Sequence, residues 1–192
     1  MSTEIHTPES LIDSKDLLTD DGFKTSNTWY HGTTCGLTPA ILADGLKRSG
    51  DNDLNQATKK AMATIGNNYT ERKEPIFLTQ SKELAYYWAK QKVRARLLHT
   101  GKDEQPAILE VTLNEAENSN VKPDVGAAVM LLDLNPYMGY LEEIYQARGL
   151  AFDLDAIQEN VVTMDRNDYL NVLGLAYYEK DISPESLNSV KF

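Results

Sequence analysis

Trp29-Tyr30-His31-Gly32-Thr33-Thr34 places a histidine, a glycine and two hydroxyls directly behind two aromatic residues suited to a strand. An imidazole both donates and accepts hydrogen bonds, and the glycine beside it lets the backbone come close to a ligand because no Cβ intervenes. A second cluster, Phe77, Tyr87 and Trp88, offers flat faces on which a planar ring can stack. Groups of these types suit a polar ligand that carries a flat ring. Each also has a structural use: a buried imidazole finds a partner in a core, and aromatics at strand and helix spacing usually pack against their neighbours. Cys35, the only cysteine, reads as a small thiol rather than a nucleophile, and it allows no intramolecular disulfide and no Cys/His zinc site.

The elements around these residues must bring them together. A strand over Asn27–His31 leads through a His-Gly-Thr-Thr corner into a helix, with Thr38 as N-cap, Pro39 in the first position and Gly45 just past the end. Pro75–Thr79 reads as a buried strand, and Ser81 caps a helix running to Leu98. Leu84, Ala85, Trp88, Ala89 and Lys92 share one face of that helix, with Tyr87 one step aside, so only one of Tyr87 and Trp88 points fully at a site. Between the two blocks, Lys47–Lys73 is polar, with a helix over Asn55–Met62 and a turn at Gly66-Asn67-Asn68; it is either a lid or an ordinary surface excursion. Further on, the pattern gives a strand over Ala107–Leu113, a surface loop over Asn114–Asn120, and helices over Tyr137–Arg148 and Phe152–Glu159. One long or two short strands follow over Tyr169–Tyr178, and Ile182–Leu187 closes the fold.

At 192 residues, 41% hydrophobic and 25% charged, the chain fits one globular domain over 27–192 preceded by an acidic, polar arm over 1–26. A formal charge of −10 argues against a broad nucleic-acid footprint, although Lys90, Lys92, Arg94 and Arg96 fall close together. No apolar run approaches the length of a membrane span, and Met1-Ser2-Thr3-Glu4 does not open a secretion signal, so a cytoplasmic protein without a membrane partner is expected.

The segment from Tyr30 to Leu46 resembles the first motif of the ADP-ribosyltransferases of the diphtheria toxin and poly(ADP-ribose) polymerase class, a Tyr-His-Gly-Thr strand followed by an Ile…Gly-Leu helix. Pro75–Ala89 is similar to that class's second motif, where a strand with one aromatic runs into an Ala-x-x-aromatic helix. The likeness extends to about Leu113, and Ile182-Ser183-Pro184-Glu185-Ser186-Leu187 resembles the tail with which such folds finish. It implies an α+β fold of two small, mostly antiparallel sheets with an NAD cleft between them, the strands ending in His31 and Thr79 lying side by side.

By that resemblance His31 binds a ribose hydroxyl, Gly32 clamps the nicotinamide carboxamide, Phe77 with Trp88 or Tyr87 sandwiches the ring, and Thr33 reaches the adenosine ribose. NAD enters as substrate rather than as a resident cofactor, and no metal is implied. The family's glutamate at the start of a late strand has no counterpart here. Asn171 and Asp168 are the nearest substitutes, and Glu142, Glu143 and Glu179 lie farther off in sequence. The implied activity is mono-ADP-ribosyl transfer to a macromolecular target, a protein in preference to a nucleic acid, by a bacterial or phage effector-like enzyme. An RNA 2′-phosphotransferase-like enzyme and a non-catalytic NAD- or ADP-ribose-binding module are the alternatives; the acidic charge and the lone motif histidine count against the former.

Overall fold

The computed structural model describes residues 6–64, 73–134, 136–160 and 163–192. In chain order its elements are α1 (Ser14–Leu17), β1 (Leu18–Thr19), β2 (Gly22–Phe23), β3 (Thr28–Thr34), α2 (Thr38–Asp44), α3 (Asn52–Thr64), β4 (Ile76–Leu78), α4 (Lys82–Thr100), β5 (Pro106–Thr112), α5 (Glu115–Asn118) and β6 (Lys122–Pro123). These are followed by α6 (Val125–Leu134), α7 (Pro136–Ala147), α8 (Leu154–Asn160), α9 (Arg166–Leu173), β7 (Ala176–Tyr178) and β8 (Leu187–Val190). The architecture is α+β with small antiparallel sheets: beside the β1–β2 hairpin stand one sheet in the order β3-β5-β8 and another in the order β4-β7-β6. Among the described residues no helix is long and apolar enough to cross a membrane.

The two larger sheets meet at one point. Tyr30 N–H donates to the Thr79 carbonyl at 2.7 Å and Thr79 N–H returns a bond to Tyr30 at 3.0 Å, so the two motif strands lie side by side there and diverge on either side. Strand β3 runs farther than its sequence suggests: Gly32, Thr33 and Thr34 stay in the ladder opposite Ile108, Ala107 and Pro106. The corner therefore falls after Thr34, and Leu37 rather than Thr38 occupies the N-cap position of α2, without a side-chain cap; the Thr38 hydroxyl bonds back to the Thr34 carbonyl at 3.0 Å.

Helix α4 is the long element against which β3 and β5 pack. Its start is fixed by Ser81, whose side chain accepts from the Glu83 and Leu84 N–H groups, and its end by Gly101 in the left-handed conformation. Its buried residues Leu84, Ala85 and Ala89 let β3 approach closely: a Cβ on Gly32 would sit 2.3 Å from the Ala85 carbonyl oxygen and 2.6 Å from the Ala89 nitrogen. The main core gathers Trp29, Leu84, Tyr87, Tyr137, Leu141, Tyr169 and Leu170, while Leu11 of the N-terminal arm is fully buried in a second cluster with Tyr30, Ala85 and Ile108. The arm is pinned further by Asp13, whose carboxylate accepts from the Ser81 hydroxyl at 2.5 Å and the Lys82 N–H at 2.7 Å.

Two local expectations are corrected. Tyr169–Leu173 belongs to helix α9, with only Ala176–Tyr178 in a strand. Asp165 caps that helix through the Asn167 and Asp168 N–H groups, and Gly174 ends it at φ 62°. Asn114–Asn120 contains α5, closed by a reciprocal capping box between Asn114 and Glu117. The turn expected at Gly66-Asn67-Asn68 lies outside the described residues.

Candidate functional site

Because β3 and β4 share a single bridge, a crevice opens beside it, and the motif residues stand along its walls. Antiparallel ladders send backbone groups of alternate residues to opposite sides, so the N–H and C=O of Gly32 point the same way as those of Tyr30, toward β4. At Tyr30 they meet Thr79; at Gly32 β4 has already turned away. Gly32 thus answers two demands, close packing on α4 through its missing Cβ and a free backbone edge on the crevice.

One cavity of about 390 Å³ is lined by Tyr30, His31, Gly32, Phe77, Trp88 and Asp124, among others. That volume is within the ~300–1,000 Å³ typical of small-molecule sites. A second, of about 230 Å³, is lined by residues including Thr33, Ile41, Ser49, Gly50 and Asp51. His31, Glu74, Phe77 and Lys92 line both, so the two cavities adjoin as two lobes of a cleft region, with these four residues at the border, or waist, between them.

His31 is half-buried, and its Nδ1 lies 2.8 Å from the Phe77 carbonyl oxygen. A carbonyl only accepts, so Nδ1 carries the proton and Nε2 of the neutral ring is an acceptor. Burial, partly opposed by that hydrogen bond and aided by the nearby Lys92 charge, pushes the His31 pKa down to about 4. The imidazole is therefore neutral and in one tautomer near pH 7. Phe77 is 47% exposed, unusual for a large apolar strand residue, and its ring is free for a ligand.

Trp88 is half-buried and lines the larger cavity; Gln91, Lys92 and Ala95, at i+3, i+4 and i+7 on α4, continue the same face. Tyr87 does not join them. Its ring is buried in the core, stacked on Tyr140 at 5.1 Å and edge-on to Tyr137 at 5.4 Å, so the ring-stacking role considered for it is corrected to a packing one. Thr33 is buried and lines the smaller cavity.

The expected substitutes for the missing glutamate are elsewhere. Asn171 sits on α9 with its amide group beside the Phe23 and Asn167 carbonyls, to which its nitrogen donates at 3.0 and 3.2 Å when the amide is turned to face them. Asp168 is exposed in the first turn of the same helix, and neither lines the cleft. Both were placed by reading Tyr169–Tyr178 as strand; a helix there carries them away. Glu142, Glu143 and Glu179 are exposed and also outside the lining, Glu179 being paired with Lys122 at 2.5 Å.

Asp124 is the acid that the sequence reading missed. It follows β6, is only 9% exposed, and lines the larger cavity. Its Oδ1 accepts the Ala127 N–H at 3.0 Å, capping α6, while its backbone N–H bonds to the Leu175 carbonyl at 3.1 Å. Burial raises its carboxyl pKa above the usual aspartate value, with the Ala127 bond acting in the opposite direction. The signal was present as a Pro-Asp pair directly before the apolar run Val125–Leu134, a helix-start pattern.

The floor of the smaller cavity leads to a charge cluster. Arg96 is almost wholly buried, with its guanidinium bonded to Asp51 and, at 2.9 and 3.0 Å, to both oxygens of Glu104, which also accepts from the Thr34 hydroxyl. Of the four basic residues that fall close together in sequence, Arg96 is thus an internal tie and Lys92 is paired with Asp51 at 2.8 Å. Compared with protein-family models and with curated proteins, the chain matches no family model and no curated sequence.

Proposed function

We propose that this chain is an NAD-dependent mono-ADP-ribosyltransferase acting on a macromolecular target, with the larger cavity as the nicotinamide site. The observation that carries the reading is convergence: His31, Gly32, Phe77 and Trp88, chosen from two separated sequence blocks, line one cavity beside the Tyr30–Thr79 bridge between two sheets. In this reading the carboxamide bonds to the free backbone edge of Gly32, and Phe77 and Trp88 hold the ring. Nε2 of His31 accepts a ribose hydroxyl. The bond between nicotinamide nitrogen and ribose C1′ breaks with its electron pair leaving on nicotinamide, and a nucleophile of the target attacks the oxocarbenium-like C1′. Asp124 takes the place of the absent glutamate, its carboxylate offsetting positive charge on the ribose.

Raised by burial, the Asp124 carboxyl favours its neutral form more than an exposed aspartate does, which weakens this last role. That observation favours a second reading, a module that binds NAD or ADP-ribose without cleaving it. Nicotinamide release from NAD, with and without a cell lysate as acceptor source, separates the two. Asp124→Asn keeps the α6 cap, because asparagine caps as well as aspartate, but removes the charge. The transferase reading expects the variant to fold normally and release nicotinamide at least ~10-fold more slowly, the equivalent of ~1.4 kcal/mol in the barrier. Wild-type protein that binds NAD but leaves it intact in lysate makes the module reading correct; protein that binds no NAD ends both.

A further inference from the structure

Lys92 occupies a position that no sequence pattern assigned: the waist of the bilobed cleft. Lys47 and Lys92 are the cations on the described lining, and of these only Lys92 belongs to both lobes. Lys47 faces Asp181 at 3.7 Å on the surface. Apart from the two lysines, the charged residues of the lining are acidic: Glu74 in both lobes, Asp44 and Asp51 in the smaller and Asp124 in the larger. A ligand that fills both lobes with two ring systems must pass its linker through this waist. In a dinucleotide the linker is a diphosphate, which bears negative charge and is repelled by Glu74 and Asp51 unless a cation stands between.

Lys92 now pairs with Asp51 Oδ2 at 2.8 Å, yet its side chain remains 30% exposed. The other oxygen of that carboxylate, Oδ1, is held by the buried Arg96 and by the Leu54 N–H at 3.2 Å, so Asp51 keeps one cationic partner when Lys92 shares its charge with a ligand. From the shared lining and this ion pair, we propose that Lys92 is the diphosphate-binding residue of the cleft and confers selectivity for dinucleotides over their nucleoside halves. This rests on the NAD reading given above and adds the group that the ligand must carry at its centre.

The test is isothermal titration of wild type, Lys92→Gln and Lys92→Arg with NAD, ADP-ribose and nicotinamide riboside, at 50 and 300 mM salt, with melting curves to confirm folding. Lys92→Gln should weaken NAD and ADP-ribose at least tenfold, change nicotinamide riboside less than twofold, and flatten the salt dependence of NAD binding. Lys92→Arg should restore most of the loss, because the charge returns. If Lys92→Gln binds NAD as tightly as wild type, this inference fails while the NAD reading stands. Equal weakening of all three ligands also overturns it, because Lys92 would then act on the shape of the cleft rather than on the diphosphate. Wild type that binds none of the three ligands overturns the NAD reading and this inference with it.

Discussion

At the scale of single residues, His31 and Gly32 are each tied to the fold and to the crevice, and the two ties separate by measurement. His31→Ala deletes the Nδ1 bond to Phe77 and the Nε2 acceptor; on the proposed transferase reading a loss of about 10-fold in NAD-dependent nicotinamide release is expected, ~1.4 kcal/mol for one hydrogen bond to a polar ligand. A variant that fails to fold would instead assign His31 to the core. The same residue makes stability depend on pH. In the folded chain its pKa is about 4, against ~6.5 for an unfolded histidine, so between these values the unfolded chain binds more protons and stability rises with pH. This contribution is complete above ~6.5 and is lost as pH falls through 4. Denaturation midpoints of wild type and His31→Gln should therefore move toward each other between pH 7 and pH 4.5; a constant difference would show that the imidazole is not held neutral. For Gly32→Ala the new Cβ meets backbone atoms of α4, at Ala85 O and Ala89 N, which cannot swing aside as a side-chain tip would. A destabilisation of roughly 1–3 kcal/mol by denaturant titration is expected, and an unchanged midpoint would mean that β3 is not seated on α4 as described.

Among the elements, α3 and α4 differ most in what holds them. Helix α4 is capped at both ends and buries seven residues, and its limits were legible in Ser81 and in the Leu84–Lys92 face. Helix α3 has no buried residue, and its attachment runs through charge: Asp51 at its start and Asp53 in its first turn both reach Arg96. A polar segment of this kind shows its helix in the sequence but not its anchor, because Arg96 lies 45 positions from Asp51 and looked like one of four surface cations. Arg96→Ala should cost about 3–5 kcal/mol, since it leaves Asp51 and Glu104 buried without their common partner, and α3 should become the first site cut in limited proteolysis. Cleavage that begins elsewhere would indicate a different anchor. The α9 misreading has the opposite origin. Tyr169, Leu170 and Leu173 are spaced for a helix and bounded by Asp165 and Gly174, yet the run of strand-forming residues through Tyr178 masked the caps.

At the scale of the whole molecule, the described residues join the two larger sheets by the Tyr30–Thr79 backbone bridge, reinforced by the His31–Phe77 bond. Residues 28–31 and 76–89 were legible because local patterns, caps and aromatic spacing all agreed there; the extension of β3 through Thr34 and the places of Asp124 and Lys92 in the cleft were not, because they depend on how β5, β6 and α3 come together across the chain. The narrow join has a consequence for ligand binding. A ligand that contacts Gly32 on one sheet and Phe77 on the other stiffens the join itself, so its effect should extend to both sheets rather than remain at the cavity. Any ligand that binds only the folded chain stabilises it by RT ln(1 + [L]/Kd), ~2.7 kcal/mol at a hundredfold excess over Kd. On the proposed NAD reading, NAD at such an excess should accordingly raise the melting temperature. In hydrogen exchange, protection should increase in β3 and β5 and, to a comparable degree, in β4 and β7. Protection confined to β3 and α4 would mean that the ligand does not span the sheets and that Phe77 does not hold it. Equal stabilisation by nicotinamide alone would show that the smaller cavity adds nothing, leaving a ring pocket in place of a dinucleotide cleft.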